Sequence, residues 1–289
     1  MAKLLLGKPV AESISNNIRT EVEKLASKNI TPCLATLRVG NNEADISYER
    51  TVLKRAAALG IQTRQFLFEE NVSEQALLSA VNEINEDVHI HGCLMFRPLP
   101  AHINQSAVCN KLASTKDVDC IANKSLGALF TDAKHRTGFF RPCTAESCMR
   151  ILDFYNIDVC GKHVVVMGRS LVVGKPVAML LLRRDATVTI CHSKTKDAAT
   201  ICKAADIVIC ATGRAKQYGA SYFSAGQVVI DVGINFDAVG KLCGDVNFDE
   251  VEPVVSAITP VPGGIGTTTT SVTLAHVVES ASACAKIKS

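Results

Sequence analysis

The chain has 289 residues, of which 47% are hydrophobic and 20% charged, and a formal net charge of +3. That length allows one large or two ordinary domains around a substantial core, and the composition excludes a disordered chain. No basic block marks a surface for nucleic acid or anionic lipid.

Apolar runs such as Val164–Met167 and Val177–Leu182 are far too short to span a bilayer. The opening MAKLLLGKPV has neither a long apolar stretch nor a small-residue cleavage site, so the sequence predicts a cytoplasmic protein. Residues 11–27 carry Ile14, Ile18, Val22 and Leu25 at helical spacing. Cys33–Val39 reads as a buried strand closed by Gly40-Asn41-Asn42. A helix over 45–59 ends at Gly60, and a strand Gln62–Phe68, a helix 73–85 and a strand Gly92–Phe96 follow. Pro98 and Pro100 then break the pattern.

The alternation restarts after a polar, turn-rich stretch near 114–147. A helix 144–155 leads into a strand His163–Gly168 and a helix from about Pro176. Apolar strands Thr187–Cys191, Ile207–Thr212 and Val228–Val232 come next. A Gly-rich turn, Pro262–Gly266, precedes a last helix 271–286, expected to pack back on the first half. Strands alternating with helices predict an α/β protein with a mostly parallel sheet. The twelve cysteines include no CxxC pair, the nearest two being Cys143 and Cys148. They are expected to stay reduced and to pack as small hydrophobes, and no metal site is expected. His89 and His91 have no ligand spacing with another metal-binding residue.

Val164–Pro176, VVVMGRSLVVGKP, reads as strand, small-residue turn and helix start. Such a turn lets backbone approach a pyrophosphate at the first helical amides. Gly168 and Gly174 flank Ser170, which is not the usual three-glycine fingerprint, and a tight structural turn explains the spacing equally well. The next strand ends in His192-Ser193-Lys194-Thr195 without the carboxylate that favours NAD. With Arg169 nearby as a bidentate phosphate donor, these residues favour NADP over solvated loop roles.

Ten segments in order resemble the methylenetetrahydrofolate dehydrogenase/cyclohydrolase family. They include SYERTVLKRAAALGI (47–61), HGCLMFRPLP (91–100), KDVDC (116–120), RPCTAES (141–147), ATVTICHSKT (186–195), VVIDVGIN (228–235), GDV (244–246) and TPVPGGIGTTTT (259–270). The resemblance implies two domains flanking a cleft: a folate-binding catalytic domain, 1–142 plus 271–289, and a Rossmann-type NADP-binding domain, 143–270. It implies a homodimer using NADP and tetrahydrofolate derivatives. Tyr48 would stack on the folate and Asp119 would hydrogen-bond the pterin, both as catalytic-site residues. Val52, Phe96, Pro262, Gly263 and Gly264 would complete the folate site. Gly168, Arg169, Ser170, Gly174, His192, Ser193, Gly213 and Ile234 would serve the cofactor.

Several positions depart from the family pattern. Val52 stands where the family has lysine, four residues after Tyr48 and on the same helical face. Lys54 lies roughly 200° round from Tyr48 at 100° per residue and is expected to face away. Phe96 replaces a glutamine, Arg97 an apolar residue, Cys120 a glycine, and Thr267-Thr268 a Pro-Met pair. Hydride transfer moves no proton, so it needs positioning above all. Hydrolysis of the methenyl product does move protons, and acid–base help there is worth about 10²–10⁴-fold. The main expectation is therefore an NADP-dependent methylenetetrahydrofolate dehydrogenase whose cyclohydrolase is lost or weak. The alternatives are a bifunctional enzyme using a substitute group (Arg97 or a displaced Lys54), an oxidoreductase acting on a modified folate, and a non-catalytic folate- or NADP-binding paralogue. The threonine run 267–270 is expected to cap the last helix through its first amides.

Overall fold

The computed structural model describes residues 1–131 and 139–287. In chain order the elements are β1 Lys3–Leu4, α1 Gly7–Ala26, β2 Cys33–Val39, α2 Glu43–Ala58, β3 Gln62–Phe68, α3 Glu74–Glu86, β4 Gly92–Met95, α4 Gln105–Lys111 and α5 Asn123–Gly127. They continue with α6 Cys143–Phe154, β5 His163–Met167, α7 Gly174–Leu182, β6 Thr187–Cys191, α8 Ala198–Lys203, β7 Ile207–Cys210 and β8 Val228–Asp231. The short β9 Asn235–Phe236, β10 Leu242–Cys243, α9 Phe248–Val251 and β11 Ala257–Ile258 precede the long α10 Ile265–Ile287. The chain divides into a three-stranded unit (Ser13–Cys143 with Thr270–Ser289) and a six-stranded unit (Met1–Glu12 with Thr144–Thr269).

In the three-stranded unit the sheet order is β3-β2-β4, and both pairings are parallel. Successive side chains of a strand point to opposite faces. Leu34 of β2 and Leu94 of β4, with Phe96 just beyond, therefore enter one core with Ile18 and Leu25 of α1, Val52 and Ala56 of α2, and Leu274, Val277 and Ala281 of α10. Ala35, Leu37, Cys93 and Met95 enter the other, against Leu77, Val81 and Ile84 of α3 and Val108 of α4. Each of the buried leucine, isoleucine and valine side chains among them contributes about 1.5–3 kcal/mol by leaving water.

The six-stranded unit has the order β1-β11-β8-β7-β5-β6, parallel throughout. From β5 the chain steps outward to β6 and then returns to β7 on the opposite side. The order reverses between β5 and β7, and open α/β sheets bind ligands at the carboxyl end of such a switch point. Val165, Met167, Val208, Cys210 and Val229 fill the core beneath it.

The structure differs from the sequence reading in two places. Residues 1–12 do not join the first unit, because Lys3 and Leu4 pair with Ala257 and Ile258 at the edge of the larger sheet. The last helix starts at Ile265 rather than 271, so the threonine run lies inside it. The hydroxyls of Thr268 and Thr269 donate back to the Ile265 carbonyl, at 2.7 and 3.2 Å.

Candidate active-site and nucleotide-binding residues

Helix α2 is capped by the Asn42 side chain, which accepts from the amides of Ala44 and Asp45. Its inner stripe is Glu49, Val52 and Ala56. Thr36 and Arg38 share a β2 face with Leu34 and reach this helix. The Thr36 hydroxyl donates to Glu49 Oε1 at 2.6 Å, and Arg38 Nε donates to Oε2 at 2.9 Å. All three side chains are buried, so the ion pair locks α2 onto the strand.

One residue before this anchor, Tyr48 remains 37% exposed. Its ring meets Phe96 edge to face, and Thr270 of α10 hydrogen-bonds its hydroxyl. Desolvation pushes the phenol up to about 12, so it is neutral near pH 7. Asp119 lies close enough to act on that phenol electrostatically. Its Oδ1 accepts from the Cys143 amide at 3.3 Å, and its Oδ2 is 3.6 Å from Arg97 Nη2. Tyr48, Phe96, Asp119 and Arg97 thus come together in one unit.

Val52 does not join them as a surface residue. It is fully buried in one core cluster with Ile18, Leu34, Phe96 and Leu274. Sharing a helical stripe with Tyr48 puts it one turn deeper in the core. Lys54 is exposed.

In the other unit, the turn after β5 is compact. Gly168 has φ +124°, and a Cβ there would lie 2.3 Å from the Ala211 carbonyl oxygen. A Cβ on Gly174 would lie 2.3 Å from the Gly168 carbonyl oxygen. The turn thus closes only with small residues, bringing backbone to the start of α7 at the switch point. Arg169 and Ser170 are exposed on it. The Ser170 hydroxyl accepts from the amides of Val173 and Gly174 at 3.1 and 3.3 Å, so it holds the turn as well. After β6, the His192 amide donates to Thr195 Oγ1, and its Nδ1 accepts from the Lys194 amide. Ser193 and Lys194 are exposed.

Across the switch point, Gly213 lies exposed in the turn after β7. That turn is held by Asp245, a residue the sequence reading did not single out beyond its place in the GDV stretch. Oδ2 accepts from the amides of Thr212 and Gly213, and Oδ1 from the Arg214 amide and Asn235 Nδ2. Asp231 does the same for the next loop, accepting from the amides of Gly233, Asp245 and Val246. An acid flanked by small and apolar residues was the only sequence signal for either. Ile234 is 64% exposed, and Pro262 and Gly263 lie exposed before α10, with Gly264 buried. Among the described residues no cluster of histidine, cysteine or carboxylates is arranged to hold a metal, and no helix is long and apolar enough to cross a membrane.

Two family models match this chain. The tetrahydrofolate dehydrogenase/cyclohydrolase catalytic domain covers residues 5–119, and its NAD(P)-binding domain covers residues 142–285. The chain belongs to the tetrahydrofolate dehydrogenase/cyclohydrolase family. It is 45% identical over 281 residues to the bifunctional protein FolD of Clostridium botulinum strain Langeland, spanning 97% of this chain and 99% of that one. The bifunctional FolD enzyme of Campylobacter jejuni superposes with a TM-score of 0.93 at 37% identity, over 98% of this chain and 99% of that chain. The Trypanosoma brucei FolD, solved with NADP and an inhibitor, superposes with a TM-score of 0.92 at 35% identity, over 100% of this chain and 99% of that chain. The switch-point turn of this family member therefore lies in its NAD(P)-binding domain, and Tyr48, Phe96 and Asp119 lie within its catalytic-domain match.

Proposed function

We propose that the chain oxidises 5,10-methylenetetrahydrofolate to 5,10-methenyltetrahydrofolate with NADP, and that it also hydrolyses the methenyl product through a group other than a lysine on α2. The observation that carries this reading is the match to both family domains, with the Campylobacter jejuni structure, named for both activities, covered almost end to end. Val52 and Phe96 lead the sequence to predict a lost or weak cyclohydrolase; the bifunctional relatives support its retention better.

The residues of the switch point fit a dinucleotide phosphate. The Gly168–Gly174 turn has room only for backbone at its closest approach, and Arg169, Ser193 and Lys194 add exposed donors with no carboxylate in His192–Thr195 at the end of β6. Arg169, Ser170 and Ser193 would hold the cofactor phosphates. His192, Gly213 and Ile234 would line the rest of its site. When bound, NADP supplies the hydride acceptor.

On the folate side, the Tyr48 ring offers an aromatic face for the pterin and aryl rings, kept in place by Phe96. Its neutral phenol is a hydrogen-bonding group rather than a base. Asp119 accepts from the pterin, and the family resemblance gives Pro262, Gly263 and Gly264 a part in folate binding. Because hydride transfer moves no proton, this positioning suffices for oxidation. Hydrolysis adds water to the methenyl carbon and breaks one carbon–nitrogen bond, with one proton released overall. Without a lysine at position 52 that proton traffic is less assisted. We further propose a cytoplasmic homodimer, testable by its mass in solution.

A second reading, dehydrogenase activity alone, is favoured by the buried apolar side chains of Val52 and Phe96 at the positions of the family's lysine and glutamine. Purified protein given methenyltetrahydrofolate alone separates the two. Decay faster than in buffer supports the bifunctional reading; decay at the buffer rate leaves the dehydrogenase alone.

A further inference from the structure

The cation at position 97 has no counterpart in the resemblance and an unusual setting. Phe96 turns into the α2 core, and Arg97 follows it out of β4. Its Nη2 is 3.6 Å from Asp119 Oδ2, beyond hydrogen-bonding distance. Each side chain is 24% exposed, so the accessible ends of a donor fork and a carboxylate adjoin. Arg97 Nε is shielded from solvent and has no hydrogen-bond partner among the described residues. Asp119 Oδ1 is engaged by the Cys143 amide, so Oδ2 is the oxygen turned to the guanidinium. Shielded donors without acceptors are costly, and a guanidinium satisfies planar acceptors well.

We infer that Arg97 and Asp119 together read the lactam edge of the pterin ring, the guanidinium donating to the ring carbonyl while the carboxylate accepts from the neighbouring ring N–H. The inference rests on the folate reading above and adds Arg97 as its specificity-determining residue. A lactam presents one acceptor and one donor on adjacent atoms, which is the complement of a loosely spaced donor and acceptor pair. The pair is neutral overall, which suits an uncharged ring edge better than an anion. A ring that carries an amino group in place of the carbonyl sets donor against donor at Arg97. Sites built to hydrogen-bond one group discriminate strongly against its replacement.

The test is calorimetric binding of tetrahydrofolate and of its 4-amino-4-deoxy analogue to the full chain, to Arg97→Leu and to Arg97→Lys. The wild type should bind the 4-oxo compound at least tenfold more tightly than the 4-amino compound. Arg97→Leu should bring the two within about threefold, and Arg97→Lys, which keeps a donor, should restore part of the preference. Thermal melting identifies any variant that has lost its fold, and the lysine variant then carries the comparison. A wild type without preference, or a leucine variant that keeps it, overturns the role of Arg97 while leaving the folate reading intact. Failure of the wild type to bind either compound overturns the folate reading itself, and this inference with it.

Discussion

Tyr48 and Phe96 meet edge to face, with ring centroids 6.0 Å apart and an interplanar angle of 71°. Such pairs add about 0.5–1.5 kcal/mol beyond burial, enough to fix the orientation of a partly exposed ring. If the ring is the functional part, Tyr48→Phe should retain most dehydrogenase turnover, whereas Tyr48→Ala should lose at least tenfold in kcat/KM for the folate. A phenol pushed up to about 12 also contributes no ionisation near neutrality. The rate profiles of wild type and Tyr48→Phe should therefore superimpose between pH 6 and 9 (roughly, allowing for the pH range in which side chains such as histidine titrate). A limb present only in the wild type would give Tyr48 a proton-transfer role.

Val52 marks the missing lysine, and its complete burial sets the terms of restoring one. Val52→Lys should raise methenyl hydrolysis, measured against dehydrogenase turnover in the same sample, toward the about 10²–10⁴-fold that acid–base assistance provides. The same change should lower the melting temperature, because an ammonium is forced toward an apolar core. Unchanged hydrolysis in a folded variant would show that position 52 does not address the reacting carbon.

Much of the fold was legible because the strands β2, β4, β5, β7 and β8 are short, apolar and buried along nearly their whole length. In β2 and β4 the period-two pattern sorts Leu34, Leu94 and Phe96 to one core and Ala35, Leu37, Cys93 and Met95 to the other. The two-residue strands β1 and β11 were not legible, since two residues carry no period and their pairing is set by tertiary contact. The start of α10 was hidden by four threonines, whose β-branched side chains disfavour a helix that packing nonetheless imposes. Helical spacing placed Tyr48 and Val52 on one stripe but could not say which of them lay at the rim. The Asp231 and Asp245 networks join residues far apart in sequence and left only an acid among small and apolar neighbours to be read.

The buried Arg38–Glu49 pair makes a stability prediction. Glu49→Gln leaves the Arg38 guanidinium buried without its counter-charge, and breaking such a pair costs about 3–5 kcal/mol. Chemical denaturation should show a loss of that size, and a loss below 1 kcal/mol (roughly the value of an exposed pair) would mean the pair is solvated.

Asp231 makes a prediction in pH. Burial pushes its carboxyl up to about 7, against the three backbone amides that hold it down. Between the unfolded value of about 3.9 and that value the folded state binds the extra proton. Stability contributed by this group is therefore fully present below about pH 4 and is lost as pH rises through 7, by at most about 1.4 kcal/mol per pH unit. Carboxyl NMR should find one aspartate titrating near neutrality, absent in Asp231→Asn. A spectrum with every aspartate ionised by pH 5 (about one unit above the unfolded value) would contradict this.

The most direct test of the central claim is oxidation itself. Purified chain is mixed with 5,10-methylenetetrahydrofolate and either NADP or NAD, and reduced nicotinamide and the methenyl product are followed separately. The account predicts folate-dependent reduction of NADP, faster than of NAD, with methenyl formed in step and then slowly consumed. Absence of folate-dependent reduction with either nucleotide would contradict it.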